Sequence, residues 1–201
     1  MFYYDFKFPK PTEKNGVILF GGNLDKSIPV GELAQSFDFN FKISNKSVSD
    51  LSIKSAQDIF ESSIKPLHPE AMILHIGEKD LTMFKANSSD FDSCYLKLIE
   101  VIKKTNSNCR IALVSIYNAH SNPAITEMNR HIKAIAESER CDFINIENAK
   151  LWNPAATKAA ISFARNLGLS VKKPLRDVAE ILYSYAYKNT QENFIETGLA
   201  G

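Results

Sequence analysis

The chain has 201 residues, 44% of them hydrophobic and 23% charged, with a formal net charge of +1. This is the composition of a globular protein able to bury one sizeable core, most simply as a single domain. The near-neutral balance and the lack of any basic run exclude the electrostatic signature of a nucleic-acid or anionic-membrane binder.

Three cysteines, Cys94, Cys109 and Cys141, are an odd number, widely spaced and without a CxxC pair. They read as reduced thiols, neither a disulfide framework nor a zinc site. The opening Met-Phe-Tyr-Tyr-Asp-Phe-Lys-Phe lacks a basic start and a long apolar run, and no stretch approaches the ~20 apolar residues of a membrane span. A cytoplasmic location is the expectation.

Residues 1–15 alternate, with Phe2, Tyr4, Phe6 and Phe8 on one side. They form an aromatic arm, either packed on its own domain or docked on a second subunit of a homodimer. Gly16-Val-Ile-Leu-Phe-Gly-Gly-Asn-Leu24 follows. Its continuous apolar run predicts a short strand buried on both faces, and Gly21-Gly22 a sharp turn at its carboxyl end. That turn delivers Asn23 to the end of the sheet where open parallel folds bind ligands. Val30, Leu33, Ala34 and Phe37 fall at helical spacing behind Pro29.

Phe39–Ser44 alternates and predicts a second strand, and Ser49 or Asp50 is placed to cap a helix with Leu51, Ala56, Ile59 and Phe60 inward. Ala71–Gly77 predicts a third buried strand stopped by Glu78-Lys79-Asp80. The next helix turns Phe91, Cys94, Leu98, Val101 and Ile102 to one face, with acids near its start and Lys103 and Lys104 at its end. Arg110–Ile116 is a fourth strand. Asn122-Pro123 opens a helix with Ile125, Met128, Ile132 and Ile135 inward, and Asp142–Ile146 is a fifth strand. An alanine-rich helix after Asn153-Pro154 and a last one from Pro174 complete the domain, 16–187, ahead of a tail over 188–201. Short apolar strands alternating with helices predict an α/β fold: a five-stranded parallel sheet with helices on both faces.

In order and spacing, residues 16–187 resemble the SGNH or GDSL hydrolase family. The resemblance implies a three-layer flavodoxin-like fold and the chemistry of esterases, lipases and carbohydrate-ester hydrolases. Gly21-Gly-Asn-Leu24 sits where that family has Gly-Asp-Ser-Leu, and Ile43–Ser49 where a glycine loop follows the second strand. Gly77-Glu-Lys-Asp80 resembles the family's Gly-x-Asn-Asp. Ser115-Ile-Tyr-Asn118 and the helix after it fit the fourth strand end. Leu167-Gly-Leu-Ser170, ahead of Ala179–Tyr183, corresponds to the Asp-x-x-His segment and final helix.

The residues at the catalytic positions differ. The nucleophilic serine aligns with Asn23, the oxyanion glycine with Ser44 or Asn45, and the oxyanion asparagine with Lys79; no histidine follows His131. Acyl transfer by this route needs an activated hydroxyl and donors aimed at a developing oxyanion, and an asparagine amide is neither nucleophile nor base. The expectation is a pseudoenzyme whose polar cleft, formed by Asn23, Ser44, Asn45, Lys79, Asp80, Tyr117 and Asn118, binds a small acyl, carbohydrate or anionic ligand.

At Lys79 an ammonium could hold a carboxylate or phosphate oxygen, or pair with Asp80 or Glu78 instead. Asn23 either meets ligand or caps local backbone. A second reading keeps an active esterase with Ser27, Ser44 or Ser47 as nucleophile and His75 or His120 as base, although His75, inside a buried strand, fits a satisfied core histidine. A third makes Gly22–Ser27 the phosphate loop of a flavin or nucleotide binder, against which Asp25 argues. No cofactor or metal is implied by the leading reading.

Overall fold

The computed structural model describes residues 16–37, 39, 41–118, 120–146 and 175–186. The aromatic arm, the helix expected after Asn153, Leu167–Ser170, Pro174 and the tail lie outside them.

Five parallel strands form one sheet in the order β2-β1-β3-β4-β5. They are β1 (Val17–Gly21), β2 (Ile43–Asn45), β3 (Ala71–His75), β4 (Arg110–Val114) and β5 (Asp142–Ile144). The helices are α1 (Asn23–Lys26), α2 (Val30–Ser36), α3 (Ile53–Ile59), α4 (Leu81–Ala86), α5 (Ser88–Thr105), α6 (Pro123–Ser138) and α7, residues 175–186. A π turn, Phe60–Ile64, and a 3-10 turn, Lys65–Leu67, extend α3.

Strand side chains alternate between two cores. Ile18, Phe20, Met72, Leu74, Ile111 and Leu113 pack with α3, α5 and α6. Val17, Leu19, Ala71, Ile73, Ala112 and Val114 pack with α2 and α7. Both faces are therefore covered, which is why β1, β3 and β4 in the middle of the sheet read as unbroken apolar runs, while the edge strands β2 and β5 are mixed.

The strands are shorter than predicted, and the reasons are local. Beyond Ser115, whose N still donates to Ile144 O (2.9 Å), side chains take over: Asn129 of α6 accepts from Ile116 N (2.6 Å) and donates to Ile116 O (2.8 Å), and Ser115 Oγ accepts from Ile146 N (2.8 Å). At Gly77 the backbone takes φ 132°, a region closed to side chains, and β3 ends before it. Ahead of β2 the rings of Phe39 and Phe41 stack at 5.2 Å, and the strand pairing begins only at Ile43.

The cap of α3 is also corrected. Ser52, not Ser49 or Asp50, accepts from Ser55 N (3.3 Å) at the helix start. Asp50 instead takes a left-handed φ of 55°. Asp80 and Asn87 head two successive helices, α4 and α5, where the pattern predicted one.

Candidate functional site

The carboxyl ends of β1, β2 and β3 gather three loops. The first holds Asn23, which opens α1 directly after the Gly21-Gly22 turn. The second, after β2, holds Asp50; the third, after β3, holds Lys79. Asp50 N donates to Asn23 Oδ1 (3.2 Å), and Lys79 Nζ pairs with Asp50 Oδ1 at 2.7 Å. The amide of strand one and the ammonium of strand three thus meet on one aspartate. Lys79 pairs with neither Asp80 nor Glu78 in this arrangement, and the partner of Asn23 is in another loop, not its own. Hydrogen bonding and charge from Lys79 hold the Asp50 carboxyl below its ordinary range, and Asp50 likewise raises the Lys79 ammonium. Both groups are solvent-exposed, so salt screens the pair.

The other sequence-derived site residues divide by what they hold. Asn45 Nδ2 donates to Asp25 O (2.7 Å) and Ile28 O (3.2 Å), while its Oδ1 accepts from Ser47 N (3.0 Å), so it clamps the loop after β1. Ser44 is half-buried on β2, in register with Ile18. Asp80 is buried and accepts from Ile53 N (2.9 Å); burial pushes its carboxyl up, partly offset by that bond. Asn118 holds the turn into α6, donating to Asn122 O and Thr126 Oγ1 and accepting from Asn122 N. Tyr117 packs against the α7-side core.

Behind Asn23 lies a cluster that sequence reasoning missed. Asp25 is fully buried (0% exposed) and His75, at the end of β3, is 5% exposed. His75 Nδ1 lies 3.0 and 2.9 Å from the two Asp25 oxygens. Tyr183 of α7 donates a short hydrogen bond to Asp25 Oδ1, and Gly22 N donates to Oδ2 (2.9 Å). The only sequence signal was indirect. A histidine inside an apolar strand demands a partner, and an acid three residues past a glycine turn suits the first turn of a helix.

None of the serines weighed as nucleophiles is hydrogen-bonded to a histidine in this arrangement. Ser47 Oγ accepts from Gly21 N (3.0 Å), and Ser27 Oγ donates to Leu24 O (3.0 Å). His75 is committed to Asp25, and its Nε2 is enclosed. His120 is exposed. Among the described residues, no group of three or more His, Cys, Asp or Glu is placed to hold a metal, and no helix is long and apolar enough to cross a membrane. An open groove lined by Leu96, Lys97, Lys103 and Glu139 runs along α5, and Lys103 there is already paired with Glu139.

No protein-family model and no curated protein matches the sequence. Solved structures do match the fold. An acetyl xylan esterase, AlAXEase, superposes with a TM-score of 0.59 at 14% identity, covering 87% of this chain and 98% of that one. A GDSL-like lipase from Bacteroides thetaiotaomicron gives 0.57 at 16%, covering 80% and 92%. The acetylxylan esterase Axe2 from Geobacillus stearothermophilus gives 0.54 at 17%, covering 78% and 97%. The chain has the SGNH-hydrolase fold. Within an SGNH-type sheet, the meeting of Asn23, Asp50 and Lys79 lies at the carboxyl ends of the strands, where parallel α/β folds place their ligands.

Proposed function

We propose that this chain is a divergent SGNH-hydrolase relative without acyl-transfer chemistry, whose strand-tip cleft binds a small anionic ligand through the Lys79 ammonium and the Asn23 amide. The observation that carries this reading is the convergence of Asn23 and Lys79 on Asp50. By the motif resemblance, Asn23 stands at the serine position and Lys79 at that of an oxyanion donor. A fixed ammonium and an amide suit a carboxylate or phosphate oxygen, whereas among the described residues no hydroxyl there is hydrogen-bonded to a histidine. The Asp50 carboxylate occupies the place of the ligand's anionic group. Because the pair is exposed, a ligand carboxylate displaces it without extracting a charge from a dry site.

The test is an NMR titration with acetate and with inorganic phosphate, alongside a p-nitrophenyl acetate assay. Saturable shifts at the Lys79 ammonium and the Asn23 amide, lost in Lys79→Met, support the reading. Absence of saturable shifts with both anions refutes ligand binding of this class. Hydrolysis abolished by Ser47→Ala or Ser27→Ala refutes the loss of chemistry.

A further inference from the structure

Among the described residues, the groups that reach the Asp25 carboxylate come from different parts of the chain: the Gly22 amide from the turn after β1, the His75 imidazole from β3, and the Tyr183 hydroxyl from α7, 158 positions away in sequence. Gly22 N and the Tyr183 hydroxyl donate to this fully buried carboxylate and His75 Nδ1 lies within hydrogen-bond reach of both its oxygens, so its accepting capacity is largely used. A buried carboxylate is stabilised by a nearby cation, and among the described residues His75 is the titratable base hydrogen-bonded to it.

The charges around His75 act in the same sense, while its Nε2 is buried without a hydrogen-bond partner. Burial by itself pushes the imidazole down. The Asp25 charge and hydrogen bond outweigh this, Glu78 of the β3–α4 turn adds to them, and the net effect is upward from 6.5. Tyr183 is held as the neutral donor, its hydroxyl raised well above 10.0 by burial and by Asp25. Tyr95 and Asp80 are the further titratable groups on the neighbouring elements, and Tyr95 is spent on Ile76 O. Space at the turn is matched to the carboxylate: a Cβ on Gly21 would sit 2.2 Å from Asp25 Oδ2.

We propose that His75 is a positioning residue whose proton sets the Gly22–Asn23 turn. Charged, it adds an opposite charge to its hydrogen bond with Asp25 and so tightens the tie of the turn to β3; neutral, it keeps at most the Nδ1–H bond, Gly22 N and Tyr183 still donate, and the turn loosens by the lost charge pairing. The device belongs to the free chain and operates whether or not an anion binds at the strand tips.

The experiment is a pH titration of the full chain, following the His75 ring nitrogens, the Gly22 amide and the Asn23 side-chain amide by NMR. The expected midpoint for His75 lies above 6.5, with both turn signals following the same midpoint. Each unit of upward displacement is about a tenfold preference of the locked turn for the charged ring. In His75→Gln the two turn signals should lose that transition. A His75 midpoint below 6.5, turn signals flat through it, or a transition that survives in His75→Gln overturns the proposal. If the variant does not fold, the wild-type titration decides alone.

Discussion

Replacing Gly21 by alanine probes the buried cluster with one methyl group. The new Cβ would lie 2.2 Å from Asp25 Oδ2, 2.5 Å from its Cγ and 2.9 Å from the His75 carbonyl oxygen. Comfortable contacts of this kind begin near roughly 3.5 Å, so the carboxylate must retreat by about 1 Å. The backbone oxygen on the other side is fixed by the β1–β3 ladder and cannot share the move. Retreat pulls Asp25 away from Gly22 N and His75 together. Overpacking alone costs about 1–3 kcal/mol, and disrupting a buried ion pair about 3–5 kcal/mol.

The expected loss for Gly21→Ala is therefore about 3–5 kcal/mol, measured by urea denaturation, or a fall of roughly 6–20 °C in Tm for a domain of this size. Gly31→Ala is the control. It lies within α2 with nothing inside 4 Å of its Cβ, and should stabilise by about 0.4–1 kcal/mol. A loss below about 1 kcal/mol for Gly21→Ala, with the His75 signals unchanged, would refute the packing argument.

The same pair gives stability a pH dependence. A folded-state imidazole raised above 6.5 contributes stability that is full below that pH and lost as pH climbs through the folded value. Urea midpoints of the wild type relative to His75→Gln should therefore converge as pH is raised from 6 to 9, and a constant gap would count against it. Asn129→Leu removes both bonds to the Ile116 backbone; stranding a buried donor and acceptor should cost about 2–4 kcal/mol by denaturant melt. Burial pushes the Cys109 thiol to about 12 and that of Cys141 to about 11. Native alkylation at pH 8, read by peptide mass spectrometry, should thus modify the half-buried Cys94 well before either, and early labelling of Cys109 would contradict its placement.

How much of the site was legible depended on the range of the signal. Asn23 and Lys79 could be placed at the strand tips because each follows an apolar run whose end is marked by a turn. Their common partner could not, because Asp50 reads locally as a helix cap and only the folded chain turns it, at φ 55°, toward Lys79. Asn45 and Asn118 read as cleft residues from their positions, yet Asn45 holds the backbone of another loop and Asn118 that of its own turn. A side-chain amide at a strand end looks the same in sequence whether it faces a ligand or a carbonyl.

The sequence by itself determined the layer plan. Three unbroken apolar runs and two shorter mixed ones, set between helical periodicities, favour a parallel sheet covered on both faces, since burial of apolar area is additive along a local pattern. Only the tertiary structure decided the polar pairings inside that plan: Asp25 with His75 and Tyr183, and Asn129 with Ile116. Such pairings depend on which distant segments arrive within hydrogen-bond reach in a low-dielectric interior, and no periodicity encodes the arrival.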